Sequence, residues 1–300
     1  VTYTLNTGQY VQFSQPAELT GSPIQSDKPV AVFGGATCLN IDVGMVACDA
    51  AHQQIPPVTA LGHEYIAVRY RNRFDGMEEA PPWRVVGAVD GTVLTYDPSP
   101  PPGAPTALSS GQVAEFRAPG PFVVRSQDAS HPFYVSAHMT GCQEVNPSFA
   151  DCRGDPEFVN VVPLAQYLDA YVFFTDPTYP ETNLVITRQK KDGVMHDVEL
   201  DCYGTLDGWL PLGSSGDIEY TRVDLVRGNF EKQGACDNGR HEIASDAPFG
   251  LTVWGWGSVA TGGDFTGTLP GIYSQAVSYA YPSGASVKPI NSVKVPADPR

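Results

Sequence analysis

Short stretches rich in β-branched and aromatic residues recur along the chain, separated by glycine, proline and Asp-Gly pairs. HEYIAVRYRNR (63–73) and DAYVFFTD (169–176) have the alternation and vocabulary of strands. PVAVF (29–33), PFYVSAH (132–138) and PFGLTVWGW (248–256) each begin with proline, which a strand accepts at its first position. Asp90-Gly91 and Asp192-Gly193 sit between strand-like runs and predict tight hairpins. Helical periodicity is nearly absent; single turns are expected near Cys48–Gln54 and Pro163–Leu168. The pattern predicts an all-β protein.

The elements repeat at domain scale. CLNIDVGMVAC (38–48) and CQEVNPSFADC (142–152) share their cysteine spacing and little else. TLNTGQYVQF (4–13) returns as ALSSGQVAEF (107–116), and the strand beginning at Pro29 returns at Pro132 and again at Pro248. Pro57 and Tyr65 match Pro163 and Tyr171, and Asp90-Gly91 matches Asp192-Gly193. This is duplication of a whole unit, since solenoid repeats have far shorter periods. One unit runs from a Cys–Cys loop through a Pro-x7-Tyr segment and an Asp-Gly hairpin to a Gly-Gln-x-x-x-Phe strand and a closing Pro-led strand. The expected division is 1–38 as the back half of a first unit, 39–142 as a second, 143–256 as a third, and 257–300 as tail strands packing on the N-terminal segment. Six cysteines can pair in fifteen ways. The repeat selects Cys38–Cys48 and Cys142–Cys152, leaving Cys202 for Cys236. Paired cysteines belong in an oxidising compartment.

Composition narrows the partners. A net charge of −15, with 18 Lys plus Arg in 300 residues, would repel nucleic acid and anionic membrane surfaces. No apolar run approaches the length of a membrane-spanning helix. The chain starts at Val1 without a basic, apolar leader, as expected after removal of a signal peptide or for an excised piece.

Four strings, in order, carry a resemblance: GSPIQSDKPVAVFGGATC (21–38), CDAAHQQIPPVTALGHEYIAV (48–68), FGLTVWGWGS (249–258) and VSYAYPSGASVKPINSVKVP (277–296). Together they resemble the amino-terminal domain family of the IgG Fc-binding protein of mucus, a domain also found in predicted secreted proteins of bacteria. The resemblance implies a secreted or surface module for binding or adhesion rather than catalysis, and carries over no binding residue. No Asn-x-Ser/Thr glycosylation site is available, Asn146-Pro147-Ser148 being excluded by its proline, which favours a bacterial source.

Motifs for other chemistry are incomplete. Gly255-Trp-Gly-Ser-Val-Ala260 matches a dinucleotide fingerprint, but TGGDFTGTLPG follows and does not read as the helix that would hold pyrophosphate. There is no Gly-x-Ser-x-Gly elbow; LGSSGD (212–217) reads as a turn. His131 and His138 lie an odd number of residues apart and face opposite sides of a strand. The loops DPTYPETN (176–183) and DCRGDPE (151–157) offer oxygen ligands of the kind Ca²⁺ takes, without EF-hand order; no other cofactor is expected. Trp254 and Trp256 share one face of a strand and are candidates for stacking on a ligand if exposed. The corresponding strand in earlier copies carries Val32 and Gly34, then Val135 and Ala137, which points instead to an inward face.

The expectation is therefore an all-β chain of tandem disulfide-stapled, sandwich-like units, the first partial and closed by the tail. It would serve as a non-enzymatic secreted or cell-surface module binding a protein or glycan. The alternatives are a building block of an extracellular assembly, completed by strands from a neighbouring chain, and a carbohydrate-active enzyme with two carboxylates across a cleft.

Overall fold

The computed structural model describes all residues except 42–43, 45–47, 147–150, 259–261, 264–272 and 296–300. Residues 1–32 carry no strand. The first unit contributes β1 (Phe33–Leu39), which pairs with β2 (Asp49–Gln54). The second unit continues with β3 (Glu64–Ala67), β4 (Pro82–Gly87), β5 (Thr92–Val93), β6 (Thr95–Asp97), β7 (Ala107–Leu108), β8 (Val113–Arg117), β9 (Phe122–Arg125) and β10 (Phe133–Met139). A helical turn, α1 (Cys142–Val145), leads to the third unit. This holds β11 (Glu157–Asn160), β12 (Leu168–Thr175), β13 (Glu181–Gln189), β14 (Val198–Leu200), β15 (Gly204–Thr205), β16 (Leu210–Leu212), β17 (Ile218–Arg227), β18 (Glu231–Lys232) and β19 (Gly239–Trp256). The tail adds β20 (Gly262–Gly263), β21 (Tyr273–Ser274) and β22 (Ser278–Pro282). Among the described residues, no helix is long and apolar enough to cross a membrane.

The second and third units share one strand plan. In the second, β11-β10-β4-β8 form one sheet and β3-β9-β6 another, with inward residues such as Trp83, Val85, Phe122 and Phe133 in a common core. In the third, the first half of β19 pairs with β12 and β14, as β9 pairs with β3 and β6. Its second half pairs with β13 and β22, as β10 pairs with β4 and β11. Two strands of the second unit are thus one 18-residue strand in the third.

A tyrosine fixes the same corner in each copy. Pro57 and Pro163 open short 3₁₀ turns, Val58–Ala60 and Leu164–Gln166. The Gly62 N–H donates to the Tyr65 hydroxyl at 3.0 Å, and that hydroxyl donates to the Phe133 carbonyl. The Leu168 N–H donates to Tyr171 at 3.0 Å, and Tyr171 donates to the Phe249 carbonyl. Each ring meets its phenylalanine edge-on, at 4.9 and 5.0 Å. The phenol ties the 3₁₀ turn to the Pro-led strand, and burial pushes both hydroxyls up, Tyr171 to about 12. Tyr65→Phe and Tyr171→Phe should each cost about 1–3 kcal/mol by orphaning a buried carbonyl and amide, read from urea midpoints.

Several expectations meet a different arrangement. The segment Asp49–Gln54 is strand, not helix, because the disulfide loop folds it back onto β1; the turn falls at Val58–Ala60. The Asp-Gly turns form, with Asp192 and Gly193 at φ 53° and 79° and Lys191 bridging Val194. They do not join paired strands: Asp90-Gly91 leads from β4 to β5, which pairs with β7, and β13 and β14 pair with different parts of β19. The sequence reading places the tail on residues 1–38; β22 pairs instead with β19. Beyond it, Ile290 and Asn291 bond the Val58–Leu61 turn, and Lys288 bonds Gln166. The unit boundaries are each crossed by a hairpin, β1–β2 and β10–β11, and the homologous strands β2, β11 and β22 meet: Asn160 donates to the Gln54 carbonyl and Gln53 to the Ala280 carbonyl.

Candidate functional site

The cysteines bond as Cys38–Cys48, Cys142–Cys152 and Cys202–Cys236. The first two staple the hairpins that cross the unit boundaries. The third joins the segment after β14 to the start of β19.

Trp254 and Trp256 do not form a stacking platform. They are 1% and 0% exposed, in the core between the second and third units. Pairing register sets Trp254 level with His138 and Gly35, three residues beyond the Val135 and Val32 expected from sequence. Tyr70 packs on both indoles, at 4.9 and 5.9 Å, and Arg71 lies 4.7 Å over Trp256. Arg71 in turn pairs with Glu181 and, at 2.7 Å, with Asp224. The tryptophans bind the protein to itself.

The glycines around them have packing reasons. A Cβ on Gly255 would enter the Tyr279 ring, and one on Gly257 would press on the Gln275 carbonyl at 2.7 Å. That accounts for the dinucleotide-like string without phosphate; of the residues due to open its helix, Gly262-Gly263 form β20 and the others lie outside the described residues. His138 is buried, its pKa pushed down to about 3 by burial and then by Arg84, whereas His131 sits near the surface against Asp128 at 2.9 Å.

In the two loops expected to offer calcium ligands, protein donors take up carboxylate oxygens. Asp176 accepts from the Thr178 amide and hydroxyl, and Glu181 from Arg71, Gly228 and Asn229. These oxygens are engaged by protein donors. In the other loop Asp151 pairs with Arg153. Among the described residues, one group of potential metal ligands converges, Asp201, Cys202 and His241. Cys202 is committed to its disulfide, and both His241 nitrogens are bonded, to Asp201 at 3.0 Å and to the Asp237 carbonyl at 2.8 Å. That donor set does not suit a cation.

A cleft of about 320 Å³ opens where the second and third units meet. The two Pro-led turns create it: Gly62 approaches Pro163 so closely that a Cβ would overlap the ring. His63 and Glu64 line one side; Gln189, Lys190 and Lys191, just before the Asp192-Gly193 turn, line the other. Glu64 is held by Arg125 at 2.7 Å, and Lys190 by Asp217 at 3.2 Å. Lys191 donates to the Asp246 carbonyl at 3.2 Å. Lys190 and Lys191 line the cleft with His63, Gln189 and the Arg125-paired Glu64, so it offers two cations for a polar, acidic ligand group in a chain whose net charge is −15. Sequence reasoning marks the landmarks on either side, Pro163 and Asp192-Gly193, but not the cleft, whose walls lie over 100 residues apart.

The architecture defines a class: an all-β chain of several sheets, held by three disulfides, with a cleft beside the Val58–Ala60 and Leu164–Gln166 turns. Within that class, the chain belongs to the family described as IgGFc binding protein, whose sequence model matches residues 1–255. A human protein described as IgGFc-binding protein is 28% identical over 193 residues, covering 62% of this chain and 3% of its own length. The chain thus spans a small fraction of that relative. No solved structure matches it.

Proposed function

We propose that the chain is a secreted, non-enzymatic interaction module that binds a protein ligand through the cleft between its second and third units. Membership of the family carries this reading. The human relative's name records binding to IgG Fc, so an Fc fragment is the first ligand to test. Three disulfides suit an extracellular setting, and Lys190 and Lys191 line the cleft of a chain whose net charge is −15.

Surface plasmon resonance of the immobilised chain against Fc, Fab and acidic glycans tests it. Binding of one class is expected, with Lys191→Glu weakening it about tenfold and steepening salt dependence being lost, because one rim charge is reversed. Binding unchanged in Lys191→Glu and His63→Ala would move the site elsewhere. No binding to any protein probe, alongside turnover of a glycan, would end the reading.

A further inference from the structure

Among the described residues four acids are buried: Glu79, Glu181, Asp155 and Glu157. The first two carry their charge against a guanidinium, Glu79 against Arg73 and Glu181 against Arg71. Asp155 and Glu157 have no cationic partner among the described residues; in their loop Arg153 takes Asp151 instead. Buried charges are ordinarily paired or bound to a metal, so these two call for a cause.

Both acids sit at the junction of β2, β11 and β22. Glu157 opens β11, and Asp155 stands two residues before it. The backbone there is pinned on both sides of the acid. The Gly154 N–H donates to the Gly257 carbonyl at 3.1 Å, and the Ser278 hydroxyl of β22 donates to the Asp155 carbonyl at 2.6 Å. The Asp155 Oδ1 is nevertheless buried without a hydrogen-bond partner. Glu157 accepts from the Phe158 amide at 2.8 Å through one oxygen. Asp49, the first residue of β2, accepts from the Ala50 amide at 2.7 Å through one oxygen, and its charge acts on both Asp155 and Glu157. The guanidinium that acts on Asp155 is already committed: every nitrogen of Arg73 bonds Glu79, Thr140 or Arg153. Three carboxylates from two repeats therefore face one another, and oxygen is their common unused resource.

We propose that Asp49, Asp155 and Glu157 form a calcium site at the junction of β2, β11 and β22. The donors are all carboxylate oxygens, a hard set that suits Ca²⁺ and offers nothing to a soft transition metal. Their oxygens are more widely set than those of Asp201, Cys202 and His241, so the ion keeps waters in its shell. Ca²⁺ accepts an irregular shell of six to eight oxygens, whereas Mg²⁺ demands a near-ideal octahedron. The unpartnered Asp155 oxygen is the anchor, and Asp49 closes the site from the neighbouring repeat. Bound there, the ion ties the β1–β2 hairpin to the β10–β11 hairpin, beside the tail strand that holds Asp155 through Ser278. It binds the folded chain in preference to the unfolded one, which scatters these donors.

Calcium chloride titrated into the chelator-treated full chain at neutral pH, read by calorimetry and by melting temperature, is the test. One site is expected, with Kd of about 10⁻⁴–10⁻³ M as in extracellular calcium modules, and a melting temperature that rises with calcium. Asp155→Asn and Glu157→Gln should each weaken binding at least about tenfold and remove most of the thermal shift, because each deletes a ligand charge. Both substitutions keep the side chain's volume, and an unchanged far-UV spectrum shows that the variants fold. Asp201→Asn should bind calcium like the wild type. Calcium binding unchanged in Asp155→Asn and Glu157→Gln, binding abolished by Asp201→Asn, magnesium bound as tightly as calcium, or no binding at about 10 mM calcium would each overturn the proposal. None of these outcomes depends on what fills the cleft.

Discussion

Asp155→Asn should stabilise the protein by about 2–4 kcal/mol at pH 9 and leave it nearly unchanged at pH 4, with Glu157→Gln behaving alike. Asp155 and Glu157 are 5% and 7% exposed, beside the junction of β2, β11 and β22. The Oδ1 of Asp155 has no hydrogen-bond partner among the described residues. Burial, then repulsion from Asp49, pushes Asp155 up to about 7 against an opposing pull from Arg73. Burial lifts Glu157 to about 8, with Asp49 adding to it. Asp49 and Asp155 stand 106 residues apart, the spacing that also separates Pro57 from Pro163, and the fold brings the two like charges together. The sign follows from proton count. The folded state holds these protons to higher pH than the unfolded chain, so stability is greatest near pH 4 and falls as pH rises to about 8. The gap between 3.8 and about 7 converts to about 4 kcal/mol for Asp155 as an upper figure, and the two groups will not add fully because they share a neighbour. Glu79 runs the other way: burial alone would raise it, but Arg73 and its hydrogen bonds bring it below the usual carboxylate range, so its contribution is lost only in stronger acid. Urea titrations across pH 4–9 should show the wild-type decline flattened in the double variant. A parallel decline in both would place the titrating groups elsewhere.

What the sequence discloses depends on how local the cause is. Strands show in composition. The Tyr65 and Tyr171 corners show through their shared spacing from Pro57 and Pro163, because each corner is set by a short segment. The disulfide pairs follow from two equal loops. By contrast, Asp155 reads as a solvated loop acid until its neighbours from another repeat are placed. Arg69, Arg71 and Arg73 alternate along HEYIAVRYRNR like a solvated strand face, yet Arg69 and Arg73 are 4% and 1% exposed. Their acceptors include Pro119, Thr140 and Asp224, none nearby in sequence. The position of the tail is non-local for the same reason. β22 has no composition that prefers β19 over the N-terminal segment; the choice is made by the β10–β11 pattern repeated in the third unit.

Arg71→Ala should lower stability by about 3–5 kcal/mol, because it removes a cation that faces both Glu181 and Trp256 between the units. The Glu181 side chain is 2% exposed and that of Asp224 14%, so water cannot replace the guanidinium freely. Glu181 keeps the Gly228 and Asn229 amides, and Asp224 keeps Asn183 and Arg227. These bonds hold the carboxylates in place without fully compensating their charge. The cost therefore comes mainly from stranding buried anions, with loss of contact over the indole second. The two parts are separable. Arg71→Ala combined with Glu181→Gln and Asp224→Asn should recover most of the loss, whereas Trp256→Leu on the Arg71→Ala background should add a further cavity cost. The second and third units share a core across this face, so Arg71→Ala should also reduce cooperativity, with fluorescence of the buried indoles changing before the far-UV signal in urea. A loss below about 1 kcal/mol, or a triple variant no better than the single one, would show that the units are held by apolar packing alone.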